Sequence, residues 1–394
     1  MQQKSVIVTA KRTPIGAFQG TLSSMPAAEL GAATIKSILN ETKINASSVD
    51  EVILGNVLSA GQGQAPARQA TIYSGLPNTV ETLTINKMCG SGLKSIMLAD
   101  QAIRCGDAET IIAGGMESMS NSPHLIKNMR GGQRLGHGKM IDSMIHDGLW
   151  DAYNDKHMGN CAEMLSAKRN YSREDQDAYA VKSYKRAQFA QSAGIFNSEI
   201  VPIHVPKRKG EPILINEDEE PGKAQFEKIS RLHPAFEKRG TITAANASKL
   251  NDGAAALLIT SEDNAKNLDF QPIAKIIAHS SAAHAPEWFT TAPSKAIEKV
   301  LKKTGLSKDD IDLWEINEAF SSVAMAVIDD YNIDPKKVNI YGGAVALGHP
   351  IGASGARILT TLLYGLKRKN LTYGLATLCI GGGEASAIII KRYD

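Results

Sequence analysis

Apolar positions along the chain follow two alternating rhythms. Short β-branched or apolar runs at Val6–Thr9, Glu51–Leu54, Thr110–Ala113, Ala255–Ile259, Ala274–Ala278, Leu313–Ile316, Ala376–Cys379 and Ala387–Ile390 predict strands. Stretches with three-to-four spacing at Ala27–Asn40, Gly92–Arg104, Arg173–Ala193, Ser294–Thr304, Ala319–Tyr331 and Ala353–Lys367 predict amphipathic helices. This alternation predicts α/β units whose strands are buried and largely parallel.

The two ends read as copies of one another. Cys89-Gly-Ser-Gly92 opens a helix followed by Thr110-Ile-Ile-Ala-Gly-Gly-Met-Glu-Ser118, and Gly352-Ala-Ser-Gly355 opens a helix followed by Thr377-Leu-Cys-Ile-Gly-Gly-Gly-Glu-Ala385. Val49–Leu54 likewise resembles Ile311–Ile316. The middle, from about 119 to 250, is rich in Met, Lys, Asp, Glu and Gly. It is expected to be an insertion of loops and a few helices that interrupts the first half, with Asn251–Asp269 returning that half's last strand and helix.

Composition narrows the function classes. Lys plus Arg against Asp plus Glu is 44 − 41 = +3, with 43% apolar residues. That is too balanced for an electrostatic nucleic-acid binder and too apolar for a disordered chain. The four cysteines (Cys89, Cys105, Cys161 and Cys379) form no CxxC pair and no disulfide framework, which suits a reducing, cytoplasmic setting. Apolar stretches such as Leu371–Gly383 are too short for a membrane span, no signal-peptide pattern precedes Val6, and Lys391-Arg-Tyr-Asp394 matches no targeting tail.

Four residues could carry chemistry. Cys89 sits at a Gly-rich turn feeding a helix, where the dipole and free amides would lower its pKa and favour the thiolate; a buried small hydrophobe is the competing reading. His349, in the Gly-rich loop Gly342–Gly355, reads as a general base, and no phosphate-loop pattern fits there. Cys379 ends an apolar strand and could form a disulfide, bind metal or move a proton. Asn317 could hold a water or donate to an oxyanion, although taken alone it reads as a helix N-cap. Two halves packed about a pseudo-twofold would bring 89, 317, 349 and 379 into one pocket suited to covalent acyl transfer.

At these residues the sequence resembles the thiolase family, and within it the acetyl-CoA C-acetyltransferases. The matching blocks are Asn86-Lys-Met-Cys89-Gly-Ser-Gly, Gly114-Gly-Met-Glu-Ser-Met-Ser120, Asn251-Asp-Gly-Ala-Ala255, Asn317-Glu-Ala-Phe320, Gly348-His-Pro-Ile-Gly-Ala-Ser-Gly355 and Cys379-Ile-Gly-Gly-Gly383, running over essentially the whole chain. The resemblance implies a thiolase fold. Residues 1–118 with 251–270 would form one mixed-sheet α/β half, 271–394 the other, and 119–250 a loop domain covering CoA. It implies a ping-pong reaction in which acetyl-CoA acylates Cys89 and a second acetyl-CoA attacks, giving acetoacetyl-CoA and CoA. His349 would activate Cys89, Cys379 would take the α-proton, and Asn317 would fix a water in one oxyanion hole. The Cys89 and Gly381 amides would form the other.

Leu149, His157, Lys228, Ser248, Phe289 and Ala319 match positions near CoA or its acyl group. His at 157 matches acetoacetyl-CoA-type members. Phe289 and Thr290 stand where many relatives have Met and Gly, and Glu384-Ala385 replaces the commoner Met-Gly after the triple glycine. Arg130–Gly136 resembles a loop that joins two dimers into a homotetramer. No cofactor is implied beyond CoA as substrate and product. Tyr184, Ala244, Ala245, Ala247 and Val345 match the positions of a potassium site in one branch, implying potassium activation. Competing functions are a broad-chain degradative 3-ketoacyl-CoA thiolase, a cysteine hydrolase, and a non-catalytic CoA-binding scaffold.

Overall fold

One mixed sheet runs through the molecule, whose computed structural model describes residues 3–393. Its strands lie in the order Leu313–Ile316, Tyr373–Ile380, Glu384–Arg392, Ala274–Ala283, Ser5–Arg12, Asn251–Ser261, Thr110–Ser118, Glu51–Gly55 and Glu81–Ile85, with Gly16–Ala17 paired to Asn251–Ser261. Among the described residues, parallel neighbours are Glu51–Gly55 with the strands on either side and Leu313–Ile316 with Tyr373–Ile380. The other neighbours along the sheet are antiparallel, which corrects the expectation of a largely parallel sheet. The continuous apolar runs report burial on both faces. Helices covering both faces produce that burial whatever the strand direction.

The two halves repeat one topology. Ser5–Arg12, Glu51–Gly55, Thr110–Ser118 and Asn251–Ser261 stand in the order taken again by Ala274–Ala283, Leu313–Ile316, Tyr373–Ile380 and Glu384–Arg392. A local hydrogen-bond pattern fixes the register. Asp50 Oδ2 accepts from the Glu109 and Thr110 amides at 2.8 Å, and Asp312 Oδ2 accepts from the Thr372 and Tyr373 amides at 2.9 Å. Thr110 is therefore the counterpart of Tyr373, not of Thr377. Gly114-Gly115 and Gly381-Gly382, alike in sequence, are therefore not counterparts in the fold. The turn at Gly381–Gly383 is instead a feature of the second half only.

Two helices, Ser91–Cys105 and Ser354–Lys369, lie between the halves. A single core joins Leu93, Ile96 and Ile103 of the first to Leu359, Leu362 and Leu366 of the second, with Ile53 and Leu257 from one half-sheet and Leu378 and Ile388 from the other. The strands' alternate residues face outer helices. Val52 and Leu258 pack against Ala27–Thr42, and Ile389 and Trp314 against Ala292–Thr304. The central helices touch at glycines. A Cβ on Gly355 would lie 2.3 Å from the Leu93 amide nitrogen, and one on Gly92 would lie 2.9 Å from that of Ala356. Only glycine permits so close a crossing.

Between Ser118 and Asn251 the chain adds no strand to the main sheet. It forms small hairpins and the helices Met158–Arg169 and Arg173–Ser192, the second opened by a Ser172–Asp175 capping box. Arg130–Gly136 is exposed throughout. The helix expected from Ala319 begins at Ser321, because Phe320 is extended (φ −142°, ψ 152°). Asn317 is therefore not its N-cap. Among the described residues, no helix is long and apolar enough to cross a membrane.

Candidate active site

Cys89 lies on a tight elbow between the strand Glu81–Ile85 and the helix Ser91–Cys105. Asn86 Oδ1 accepts from the Met88 amide at 2.9 Å, Met88 takes φ +47°, and the Gly90 amide donates to the Lys87 carbonyl at 3.0 Å. Left-handed backbone at a methionine costs about 1 kcal/mol or more and persists only where neighbours fix it. A Cβ on Gly90 would lie 2.3 Å from Ile380 Cδ1 of the other half, so a side chain there would have to push that tip aside. The thiol is partly accessible from a cavity of about 570 Å³. It accepts hydrogen bonds from its own amide and from that of Gly381, yet burial outweighs both and pushes it up to about 11. This corrects the expected lowering: the dipole and amides act, but removal from water is the larger effect.

His349 opens onto the same cavity, and its ring is held from behind. Ser354 Oγ stands 2.6 Å from His349 Nδ1 and 2.9 Å from the Pro350 carbonyl oxygen, and when its hydrogen goes to the carbonyl it accepts from Nδ1. In that tautomer Nε2 presents a lone pair. Asn317 Nδ2 meets that nitrogen at 3.4 Å, while Asn317 Oδ1 is buried without a partner. Burial and then the nearby Arg357 charge pull the imidazole down to about 3, so it is neutral at physiological pH. Cys379, fully buried on the strand Tyr373–Ile380, packs with Met158, Phe289, Ala319 and Phe320. Burial, then the Cys89 charge, raise its thiol well above the ordinary value.

Leu149, His157, Ser248, Phe289 and Ala319 all line the cavity. His157 Nδ1 accepts from the Gly159 amide at 3.0 Å, capping the helix Met158–Arg169, and its ring stacks on Phe236 at 4.8 Å. Glu318 of the same block as Asn317 faces inward and accepts from Tyr179, Ser183 and Asn339 at 2.7–2.9 Å, which makes it a brace for the loop.

With this geometry in place, comparison with known proteins decides the family. Residues 5–263 match the thiolase N-terminal domain and residues 270–392 the thiolase C-terminal domain. The chain belongs to the thiolase family. Across its whole length it is 50% identical to the acetyl-CoA acetyltransferase of Allochromatium vinosum, covering 100% of both. It is 51% identical to a probable acetyl-CoA acyltransferase of Staphylococcus aureus, covering 98% of this chain and 99% of that one. The crystal structure of the Bacillus anthracis acetyl-CoA acetyltransferase superposes with TM-score 0.97 at 40% identity, covering 100% and 99%. That of the Acat5 thiolase from Ascaris suum in complex with coenzyme A does so with TM-score 0.94 at 44% identity, covering 99% and 100%. This thiolase is thus an acyltransferase with the mixed α/β fold of its relatives.

Lys228 is absent from the wall of this thiolase's main cavity and borders a smaller neighbouring one with Tyr184 and Ala245. Two of the potassium positions are hydrogen-bonded by a lysine: Lys249 Nζ donates to the Tyr184 hydroxyl and, at 3.0 Å, to the Val345 carbonyl. No group of three or more His, Cys, Asp or Glu able to hold a metal occurs among the described residues. Glu384, unexplained in the sequence, forms an ion pair with Lys87 across the two halves.

Sequence reasoning also missed Ser354, Asn251, Glu117 and Lys249. Asn251 Oδ1 accepts from the His349 amide at 2.8 Å. Glu117 ties the halves together, accepting from the Val57 and Gly352 amides at 3.0 and 2.9 Å; burial pushes it up to about 7. Ser354 lies in the same Gly348–Gly355 block as His349, five residues on, and that spacing is a usable signal. Lys249 had none, since one lysine in a polar loop reads as solvated.

Proposed function

We propose that this thiolase is an acetyl-CoA C-acetyltransferase, catalysing the reversible condensation of two acetyl-CoA to acetoacetyl-CoA and CoA. The observation that carries the reading is the pair of amides, Cys89 and Gly381, directed at the Cys89 sulfur beside a neutral His349 in one cavity. His349 Nε2 takes the thiol proton as the sulfur attacks the thioester carbonyl, and the carbonyl oxygen becomes an anion held by preorganised donors. Collapse expels the CoA thiolate, which takes the Cys379 proton and leaves as CoA. Cys379, deprotonated, then takes an α-proton from the second acetyl-CoA, and the carbanion attacks the acetyl carbon on Cys89. The bond to Sγ breaks as the new carbon–carbon bond holds, and the released Cys89 thiolate takes its proton back from the His349 imidazolium. Asn317, with Oδ1 unpartnered and Nδ2 on His349, is suited to hold a water at the second thioester oxygen. The bulky packing of Phe289, Met158 and Phe320 around Cys379 favours a short acyl group.

Intact-protein mass spectrometry after mixing with acetyl-CoA tests the reading. One acetyl group mapped to Cys89 and discharged by CoA is expected; an unmodified protein overturns covalent transfer. Comparable thiolysis of C4 and C10 3-ketoacyl-CoA would replace the acetyl reading with the broad-chain degradative one, and net release of acetate would favour a hydrolase. The exposed Arg130–Gly136 loop supports assembly as a dimer of dimers, which light scattering of the purified enzyme would test.

A further inference from the structure

Lys249 belongs to the segment that returns the inserted region to the sheet, two residues before the strand Asn251–Ser261. Its side chain turns inward. Nζ donates to the Tyr184 hydroxyl and the Val345 carbonyl and lies 4.9 Å from the centre of the Tyr184 ring. Glu220 and Glu318 are the carboxylates whose charge favours its ammonium form. Phenol oxygen, carbonyl oxygen and nearby carboxylates are the surroundings a hard monovalent cation would take. Here the chain fills them itself.

The contact bears on the reactive histidine. Val345 lies in the short helix Ala344–Leu347, which runs through Gly348 (φ +108°) into His349. Lys249 holds the beginning of that loop through the Val345 carbonyl, and Asn251 holds its end through the His349 amide. Just upstream, the Ser248 amide donates to the Ala319 carbonyl at 2.9 Å, and the Ser321 amide to the Asn246 carbonyl at 2.8 Å. One segment therefore grips both the His349 loop and the loop of Asn317.

We propose that Lys249 is a positioning residue that supplies, from within the chain, the cation at the Tyr184–Val345 site, so that the His349 loop is held without a monovalent metal ion. The catalytic consequence rests on the reading of His349 given above; the cation site itself does not.

The test compares wild type, K249A and K249M in potassium chloride and in tetramethylammonium chloride at equal ionic strength, by thermal melting, refolding yield and turnover. Wild type should show the same melting temperature and turnover in both salts. K249A leaves the oxygens without a cation. It should lose about tenfold or more in turnover in tetramethylammonium, and about 100 mM potassium should restore most of it while raising the melting temperature by several degrees. K249M fills the space with apolar atoms and should not be rescued. If K249A folds only in potassium, its refolding yield reports the same binding. Potassium activation or stabilisation of the wild type would overturn the proposal, as would a K249A whose stability and turnover ignore potassium. If the wild type transfers no acetyl group, the function reading fails while melting and refolding still decide the cation site.

Discussion

The two halves of this thiolase share a scaffold and divide the chemistry unequally. With Ser91 opposite Ser354 and Gly92 opposite Gly355, Cys89 falls opposite Gly352, and His349 opposite Asn86. On the following strands, Cys379 falls opposite Met116, a core residue under the outer helices. Each half thus has one central helix with a tight, glycine-lined approach. One approach carries the candidate nucleophile and the other the candidate base. Duplication supplies the framework, and single-residue differences at equivalent positions supply the site.

That division can be broken first at the sulfurs. Cys89→Ser should lose acylation altogether, a fall of about 10,000-fold or more in turnover. Cys379→Ser should still acylate, as intact mass would show, while condensation falls about 1,000-fold. A fully active Cys379→Ser enzyme would remove the proton-transfer role from the second half.

The crossing itself is the next target. Gly355→Ala places a methyl 2.3 Å from a backbone nitrogen, Gly92→Ala one at 2.9 Å. Overpacking of this kind costs about 1–3 kcal/mol. Thermal melting should place Gly355→Ala at the upper end and Gly92→Ala below it. Equal melting temperatures would mean that the helices slide apart freely.

Titration sharpens the comparison further. With the Cys89 thiol pushed up to about 11, its thiolate fraction rises tenfold per pH unit below that value. Iodoacetamide alkylation of Cys89 should therefore climb about tenfold per unit from pH 7 to 9. A plateau in that range would mean a low-pKa thiol. The smallest expected effect is at Glu384, whose pairing with Lys87 joins the halves at a half-exposed position. Glu384→Gln should cost less than about 1 kcal/mol by denaturant unfolding.

The sequence was most readable where burial and local chemistry coincide. Leu313–Ile316 was placed to the residue, and the flanks of Cys89 and His349 were recognisable because tight turns demand glycine there. The edge strand Glu81–Ile85 escaped notice because its residues are only partly buried, which leaves a weak apolar signal. Strand direction was not readable, since burial on two faces looks alike in parallel and antiparallel sheets. The pKa of Cys89 was misjudged because sequence displays the helix start but not the depth at which it lies. Among expected ligand residues, His157 and Ser248 line the cavity, whereas Lys228 borders its smaller neighbour.

The glycine crossing has an electrostatic meaning as well as a steric one. Because Gly92 and Gly355 let the backbones meet near the starts of both helices, two N-terminal ends converge beneath the cavity floor, each carrying roughly half a unit of positive charge. Bringing like poles together costs energy, and the Glu117 carboxyl held by the Gly352 amide is placed to relieve it. In the proposed reaction, a thioester enters and leaves such a field as a neutral group. An oxyanion or a carbanion, existing only between those two moments, is the species the field favours.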